Sequence, residues 1–217
     1  MDYKQNKPYL NLMKEVFVDR EYSDYFPFYE DAVVIDIGAN VGYFSIFAAN
    51  NIGSKGKVIA IEPEANNYSL LVSNTRYVRN KVSIENSAIS HEVGQSYLYL
   101  SESLNHTLVS CRESPKVPIQ TQTLENLLSC YNLDHVDFLK MDCEGAEYEI
   151  LKYMPSDVFA KISVISMEFH DNKDQRLNGK WIADILEDHG FVVKKFCYSS
   201  SNFGLNFGKI IGVRKYD

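Results

Sequence analysis

Short runs rich in valine and isoleucine alternate with helical segments along most of this chain, and this alternation limits its fold more than any other feature. The run at 32–38 is apolar at consecutive positions, as a strand covered on both faces must be. The runs at 57–63 and 81–90 are interpreted as the second and third strands, and 43–51 and 64–78 as the helices between them. Such βα units build a parallel sheet.

The second half of the chain continues the alternation and then ends differently. Its predicted elements are a helix at 124–133, a strand running into a loop at 136–145, a helix at 146–154, a strand at 161–171 and a helix at 179–190. The last two runs, 191–199 and 208–216, have no helix between them, so we expect an antiparallel hairpin. The pattern predicts a Rossmann-like α/β fold with a mostly parallel seven-stranded sheet, an antiparallel C-terminal hairpin and helices on both faces.

The length of 217 residues suits one large domain with a buried core, so we interpret 1–217 as a single domain. Residues 1–30 form an aromatic-rich extension that could act as a lid or as a homodimer contact. Residues 94–123 interrupt the alternation, because 94–103 alternate between apolar and polar residues and 114–123 are extended with two prolines. We interpret this segment as an insertion on the sheet that could wall a binding pocket.

The charge balance and the apolar pattern argue against several classes of partner. Acidic residues outnumber basic ones by 29 to 22, whereas nucleic-acid binding needs concentrated lysine and arginine. No apolar stretch is long enough to span a bilayer, and the N-terminus lacks the apolar core of a signal peptide. The four cysteines are widely spaced and include no C-x-x-C pair. We therefore expect a cytoplasmic protein with reduced thiols, no nucleic-acid partner and no membrane span.

The stretch VVIDIGANVGYF, residues 33–44, has the form of a glycine loop that seats a nucleotide at the start of a helix. Two features argue against a phosphate ligand. Asp36 precedes the first glycine, where a fixed negative charge would oppose an anion. Between Gly38 and Gly42 the middle glycine of the dinucleotide fingerprint is missing, and no Gly-Lys-Ser or Gly-Lys-Thr follows.

S-adenosylmethionine fits this loop better, because it has no phosphate and its methionine end carries an ammonium and a sulfonium that a carboxylate attracts. The two glycines leave room for its homocysteine chain, and the helix that follows can receive its carboxylate. Glu62 ends the second strand, 20 residues after Gly42, where an acid is expected to accept both ribose hydroxyls. Glu62 alone could equally bind the ribose of NAD, so the loop is what favours the methyl donor.

Four stretches together resemble one known family: VVIDIGANVGYFSIFAA, VIAIEPEANNYSLLVSN, SAIS and VDFLKMDCEGAEYEIL. They are similar to the FkbM family of S-adenosylmethionine-dependent methyltransferases, and the likeness covers residues 31–171, about two thirds of the chain. The pairing of DIGANVG with D-x-EGAE about a hundred residues later is its specific part. The resemblance implies the class I methyltransferase fold and methylation of a hydroxyl on a small molecule, sugar or glycolipid, with S-adenosyl-L-homocysteine as the product.

The resemblance also implies which residues bind the cofactor. They are Asp36, Gly38, Asn40, Gly42, Glu62, Ser87, Ala88 and Asp142. Ser87 and Ala88 follow the third strand, where this fold meets the adenine, and small residues there leave room for a flat ring. Asp142 and Glu144 match the family's acidic loop after the fourth strand. Residues outside 31–171 are not covered by the likeness, and acceptors are usually chosen in such regions.

Catalytic side chains are expected after the fourth and fifth strands, because ligands lie outside the carboxyl ends of parallel strands. The fourth strand is followed by Asp142 and Glu144, and the fifth ends with Glu168, His170 and Asp171. A group must accept the proton of the acceptor hydroxyl, and His170 is the first candidate because histidine titrates near neutral pH. Glu168 or Asp142 is the second. His170 could also be a hydrogen-bonded residue at a strand end, without a catalytic role.

Several alternatives stay open on the sequence. The acidic loop and the fifth strand could converge on Mg²⁺ or Mn²⁺ through Asp142, Glu144, Glu168 and His170. We favour a metal-free site, because the same acids also serve the cofactor and the acceptor hydroxyls. Asp36 could merely cap the helix that follows it. The chain could also be an NAD-dependent oxidoreductase, or a catalytically silent interaction module that keeps the methyltransferase fold.

Overall fold

A computed structural model of the chain describes residues 3–100, 115–170, 176–200 and 206–215. The strands in these ranges are β1 (Val33–Ile37), β2 (Lys57–Ile61), β3 (Val82–Glu85), β4 (Ala88–Ile89), β5 (Gly94–Tyr99), β6 (Lys116–Gln122), β7 (Val136–Met141), β8 (Ile162–His170), β9 (Phe191–Ser200) and β10 (Asn206–Arg214). The helices are α1 (Tyr3–Phe17), α2 (Tyr43–Asn51), α3 (Ala65–Asn74), α4 (Leu124–Cys130), α5 (Glu147–Tyr153), α6 (Ser156–Ala160) and α7 (Gly179–Asp188).

Seven strands form the main sheet in the order β3-β2-β1-β7-β8-β10-β9. Four neighbouring pairs are parallel: β3 with β2, β2 with β1, β1 with β7, and β7 with β8. β10 lies between β8 and β9 and is antiparallel to both. This arrangement confirms the predicted sheet and its antiparallel C-terminal hairpin.

The strand order reverses next to β1, and this reversal determines where a ligand can bind. β2 and β3 lie on one side of β1, whereas β7 lies on its other side. In open α/β sheets, ligands bind outside the carboxyl ends of the strands at such a switch point. The same pairing sets Asp36 of β1 in register with Lys140 of β7.

Both faces of the main sheet are buried under apolar layers, as the consecutive apolar runs predict. Ile35 and Ile37 of β1 belong to one cluster, which includes residues of α4, α5 and α7. Val34 belongs to a second cluster, which includes residues of α1, α2 and the segment before β1. A strand buried on both faces has no place for alternating polar residues, and all six residues of β7 are buried.

The predicted third strand, 81–90, is in fact two strands in two different sheets. β3 ends at Glu85 in the main sheet, and β4 pairs in parallel with β6 in a small sheet of order β4-β6-β5. The bend between them contains Asn86, whose Nδ2 donates to the backbone oxygen of Glu62 at 2.9 Å. The Asn86 side chain therefore connects the bend to the end of β2. A local apolar pattern cannot reveal this contact.

The segment 136–145, predicted as a strand running into a loop, consists of β7, which ends at Met141, and the loop after it. In this loop Glu144 and Gly145 have positive φ angles of 53° and 103°, which a strand does not allow. Two helices, α1 and α6, are not anticipated by the sequence patterns. Within the insertion, β5 and β6 pair in antiparallel orientation, while residues 101–114 lie outside the described ranges. None of the helices in those ranges has the length and apolar character of a membrane span.

Gly38 gives a direct test of this geometry. Its φ is +73°, and a Cβ there would lie 1.9 Å from the backbone oxygen of Asp142. We expect Gly38→Ala to lower the free energy of unfolding by at least about 1 kcal/mol, measured by urea denaturation. Gly94→Ala is the matched control, because no heavy atom lies within 4 Å of a Cβ at that position. Equal stability of the two variants would contradict the close approach of the two loops.

Candidate active site

A cleft opens at the carboxyl ends of β1, β2 and β7, and it encloses about 980 Å³ of space including its mouth. Its walls come from α1, the loop after β1, the end of β2, β4, and the loop after β7. The cleft therefore lies at the switch point of the sheet.

The loop after β1 is held by backbone hydrogen bonds to β2. The backbone nitrogens of Gly38 and Ala39 both donate to the oxygen of Ile61, at 3.1 and 3.0 Å. Asn40 has a positive φ of 50°, and Gly42 is the left-handed N-cap of α2 with a φ of 89°. Gly38 and Asn40 line the cleft, whereas Gly42 lies behind it against Leu71 of α3.

Glu62 lies at the end of β2 and lines the cleft, as the sequence predicts. Its side chain is almost completely buried, and Oε2 accepts a hydrogen bond from the backbone nitrogen of Asn40 at 2.8 Å. Oε1 accepts from the backbone nitrogen of Glu64 at 2.9 Å. Burial raises the pKa of Glu62 to about 7, although these hydrogen bonds oppose the rise. The glycine loop and the Glu62 side chain are thus in direct contact.

Ser87 and Ala88 line the far end of the cleft, which is the position predicted for the adenine. Ser87 accepts a hydrogen bond from Gln122 of β6 at 2.8 Å, and Leu98 of β5 lines the same wall. The insertion therefore contributes one wall of the cleft, next to two small residues.

Asp36 lies beneath the glycine loop and has no exposed surface. Its Oδ2 accepts a hydrogen bond from Ser45 Oγ at 2.6 Å, and its Oδ1 lies 3.1 Å from Lys140 Nζ. The sequence suggests that this carboxylate attracts the cationic end of the ligand directly. The strand register instead pairs it with a lysine inside the protein, so an effect of Asp36 on a ligand has to pass through Lys140.

Lys140 connects the two loops that form the centre of the cleft. Its Nζ donates to the backbone oxygen of Gly38 at 2.8 Å and lies 4.0 Å from Asp142 Oδ2. Burial lowers the pKa of Lys140, but the charges of Asp36 and Asp142 outweigh this effect and raise it above the ordinary value. The ammonium is therefore charged, and it holds the loop after β1 against the loop after β7.

Asp142 follows β7 and lines the cleft. Its backbone nitrogen donates to the oxygen of Ile37 at 3.1 Å, and its Oδ2 accepts a hydrogen bond from the hydroxyl of Tyr22 at 3.2 Å. Oδ1 is buried and has no hydrogen-bond partner among the described residues. An unpaired buried carboxylate oxygen is unfavourable, so the Asp142 carboxylate lacks a hydrogen bond that would stabilise its charge.

The rest of the acidic loop is shaped by Glu147, which is fully buried. Glu147 Oε1 accepts from the backbone nitrogen of Cys143 and Oε2 from that of Gly145, both at 2.9 Å. These two bonds stabilise the positive φ of 53° at Glu144, whose side chain reaches the cleft. Glu147, the last residue of the EGAE motif, thus holds Glu144, the first residue, in position.

His170, at the end of β8, lies among carboxylates. Its Nε2 is 3.3 Å from Glu144 Oε2 and 3.6 Å from Glu168 Oε1, and its Nδ1 is 3.6 Å from Glu147 Oε1. Burial lowers the pKa of His170, but the nearby carboxylate of Glu147, with the charges of Glu144 and Asp142, raises it to about 10. An imidazole that keeps its proton at neutral pH cannot accept another. This argues against the sequence-based assignment of His170 as the general base.

The carboxylates beside His170 are better suited to accept a proton. Burial, with the charge of Asp142, raises the pKa of Glu144 to about 8, although the charge of His170 opposes the rise. The same causes raise the pKa of Glu168 to about 8, and Glu168 Oε2 also lies 3.3 Å from Lys209 Nζ. Glu144 lines the cleft, whereas Glu168 and His170 lie behind it. The predicted acidic residues therefore lie close together, and of Glu144 and Glu168 only Glu144 lines the cleft.

Four residues of this site are not singled out by the sequence patterns: Tyr22, Lys140, Glu147 and Lys209. The sequence does contain an indication for Lys140. A cation in a strand buried on both faces needs an anion, and Asp36 supplies the opposite charge in a neighbouring strand. Tyr22 and Lys209 come from distant ends of the chain. No local pattern can connect them to the site.

Among the residues that the structure describes, no group of three or more His, Cys, Asp or Glu side chains is arranged to hold a metal ion. Asp171 lies outside the described residues.

The sheet order, the antiparallel hairpin and the glycine loop in contact with an acid on β2 define a class I S-adenosylmethionine-dependent methyltransferase. The chain belongs to the methyltransferase FkbM domain family, whose model matches residues 36–193. The expected resemblance is therefore confirmed, and the NAD-dependent and catalytically silent alternatives are not favoured.

Three known proteins place this family membership in context. The chain is 25% identical over 222 residues to the AMB antimetabolite synthetase AmbE of Pseudomonas aeruginosa; the match covers 83% of this chain and 10% of that protein, so the chain spans about a tenth of that relative. It is 26% identical over 203 residues to Methyltransferase 1 of Beauveria bassiana, covering 83% of this chain and 80% of that protein. The fold matches magnesium protoporphyrin IX methyltransferase (ChlM) from Synechocystis PCC 6803, solved with bound SAM, at a TM-score of 0.56, 13% identity and coverage of 99% and 85% of the two chains.

The proton on His170 has a measurable consequence. Its folded-state pKa of about 10 lies above the ordinary 6.5, so its stabilising contribution is complete below pH 6.5 and is lost as the pH rises towards 10. We expect the difference in free energy of unfolding between the natural protein and His170→Gln to be largest near pH 6 and to shrink by pH 10. Urea denaturation at several pH values measures it. A difference that is constant or grows with pH would contradict the protonated imidazole.

Proposed function

We propose that this domain transfers the methyl group of S-adenosylmethionine to a hydroxyl oxygen of a small molecule, sugar or glycolipid. The observation that carries the proposal is the position of Glu144 and Glu168. Two partly buried carboxyl groups whose pKa values are raised to about 8 lie at the same sheet edge as the cofactor cleft. Carboxylates in this range suit a general base that works near neutral pH.

The cleft supports one direction of cofactor binding. Glu62, at the end of β2, would accept the ribose hydroxyls, and Ser87 and Ala88 would accommodate the adenine. The methionine end would then lie at the glycine loop, where no side chain caps the N-terminus of α2 and its free N–H groups can receive a carboxylate. When bound, the cofactor supplies an electrophilic methyl group on a cationic sulfur.

Asp142 supplies a negative charge near that end of the cleft. Its Oδ1 is the buried oxygen without a hydrogen-bond partner among the described residues, and it belongs to the loop that touches Gly38. A carboxylate there favours a cationic ligand and opposes a phosphate. Asp142 therefore takes the electrostatic role that the sequence suggests for Asp36.

Glu144 is the group that we propose to accept the hydroxyl proton. Of the two carboxyl groups whose pKa values are raised to about 8, it is the one that lines the cleft. The protonated His170 beside it stabilises the charged form of Glu144, at a separation of 3.3 Å. Glu168 is the second choice, and His170 becomes a positioning residue. A positioned base typically contributes about 10²–10⁴-fold to the rate.

Binding of the product tests the cofactor assignment. We expect S-adenosylhomocysteine to raise the melting temperature and to give a calorimetric binding isotherm, while NADH does neither. Glu62→Ala should weaken binding by about 30-fold or more, because hydrogen bonds to a charged acceptor contribute about 1.5–3 kcal/mol each.

Glu85→Ala is the matched control for this experiment. Glu85 ends β3, next to β2 in the same sheet, and lies outside the cleft. Its variant should bind the product normally. Equal affinities of the Glu62 and Glu85 variants, or binding of NADH in place of the product, would contradict the assignment.

The reaction itself can be tested with isotopically labelled methyl donor and a pooled extract of metabolites and glycans. We expect a labelled methyl ether product, identified by mass spectrometry, and formation of this product after dialysis against a metal chelator. With the purified acceptor, Glu144→Gln should lower kcat by about 10²–10⁴-fold and leave the affinity for S-adenosylhomocysteine within about threefold. A label on nitrogen or carbon would contradict O-methylation, and an unchanged kcat would exclude Glu144 as the base.

A further inference from the structure

Tyr22 reaches the centre of the cleft from a part of the chain that the family match does not include. The match begins at residue 36, whereas Tyr22 belongs to the segment between α1 and β1. Its side chain is only 7% exposed, and it lines the cleft together with Val16 of α1. The properties of the family core therefore do not explain why a tyrosine is present here.

The ring of Tyr22 is held in place from several directions. It packs edge to face against Phe44 of α2, with ring centroids 5.7 Å apart. The ammonium of Lys209 lies 4.9 Å from the ring centroid, and Lys209 also pairs with the neighbouring Glu21. Asp24 pairs with Lys195 of β9 at 2.9 Å. The segment that carries Tyr22 is thus fixed to the C-terminal hairpin.

The hydroxyl of Tyr22 makes a hydrogen bond to Asp142 that has a defined direction. It donates to Asp142 Oδ2 at 3.2 Å. Burial and the nearby charges of Asp142 and Glu168 raise the pKa of the phenol well above its ordinary value. The hydroxyl therefore keeps its proton and can act as the donor.

A competing partner for the same carboxylate lies close by. Lys140 Nζ is 4.0 Å from Asp142 Oδ2, which is too far for a hydrogen bond but near enough for an ion pair to tighten. Asp142 Oδ1 has no partner among the described residues. Without the hydroxyl of Tyr22, a small rotation would bring the carboxylate onto Lys140, and the ammonium would then compensate part of its charge there.

We propose that Tyr22 is a positioning residue that keeps the Asp142 carboxylate away from Lys140 and available to the cationic sulfur of the methyl donor. This inference rests on the proposed function, because it assumes that the donor binds in this cleft. It predicts an effect on charge recognition rather than on binding in general. The donor carries a positive sulfonium, whereas its product carries a neutral thioether at the same place.

The test compares the two ligands by calorimetry with the full chain. In Tyr22→Phe the ring and its packing remain and only the hydroxyl is removed. We expect S-adenosylmethionine to bind about tenfold more weakly, as for a lost hydrogen bond to a charged group, and S-adenosylhomocysteine to change by less than about twofold. Asp142→Asn should give the same selective loss.

The double variant, Tyr22→Phe with Asp142→Asn, separates positioning from simple packing. If Tyr22 acts through Asp142, the double variant loses no more affinity for S-adenosylmethionine than Asp142→Asn alone. Tyr131→Phe is the matched control, because Tyr131 donates to the carboxylate of Glu85 at 2.5 Å outside the cleft. It should leave the affinities for both ligands unchanged.

The outcomes that overturn the inference are distinct from failure of the proposed function. Equal weakening of both ligands by Tyr22→Phe, unchanged affinity for the donor, or fully additive losses in the double variant would each overturn the role of Tyr22. If the Asp142 variant does not fold, the ratio of the two affinities in Tyr22→Phe alone decides. Absence of binding of either ligand to the natural protein would instead contradict the proposed function, and with it the inference.

Discussion

The buried contact between Asp36 and Lys140 is the interaction on which the rest of the site depends. The register between β1 and β7 sets these residues side by side, and Lys140 then bonds to the oxygen of Gly38 and approaches Asp142. A buried ion pair adds little net stability, but removing one partner leaves an unpaired charge and costs about 3–5 kcal/mol. The pair therefore fixes the relative position of the two loops that form the cleft.

The charges around these loops explain which kind of ligand the cleft can accept. Asp36 is neutralised by Lys140, while Asp142, Glu144 and Glu62 line the cleft beside the same loops. Burial raises the pKa values of Glu62 and Glu144, so these groups carry only part of their charge near neutral pH. A pyrophosphate would add negative charge to this environment, whereas a sulfonium would compensate it. Asp36, the carboxylate before the first glycine, is thus one of several acidic residues around these two loops.

The fold was accessible from the sequence because buried parallel strands leave a clear local pattern. The runs around β1 and β2 and the missing helix before β10 predict the sheet, and the glycine loop with Glu62 predicts the cleft. What could not be predicted depends on contacts between distant segments. The burial of Asp36 follows from strand register, and the proton on His170 follows from three carboxylates that meet only in the folded chain. Tyr22 reaches Asp142 across 120 residues of sequence, so no local pattern could indicate its role.

We propose that the cleft at the ends of β1, β2 and β7 binds S-adenosylmethionine with its ribose at Glu62 and its sulfur towards Asp142. A crystal structure of the complex with S-adenosylhomocysteine tests it most directly. We expect both ribose hydroxyls within about 3 Å of the Glu62 carboxylate, and the adenine beside Ser87 and Ala88. A ligand bound elsewhere, or bound with the adenine at the acidic loop and the homocysteine at Ser87, would contradict the account.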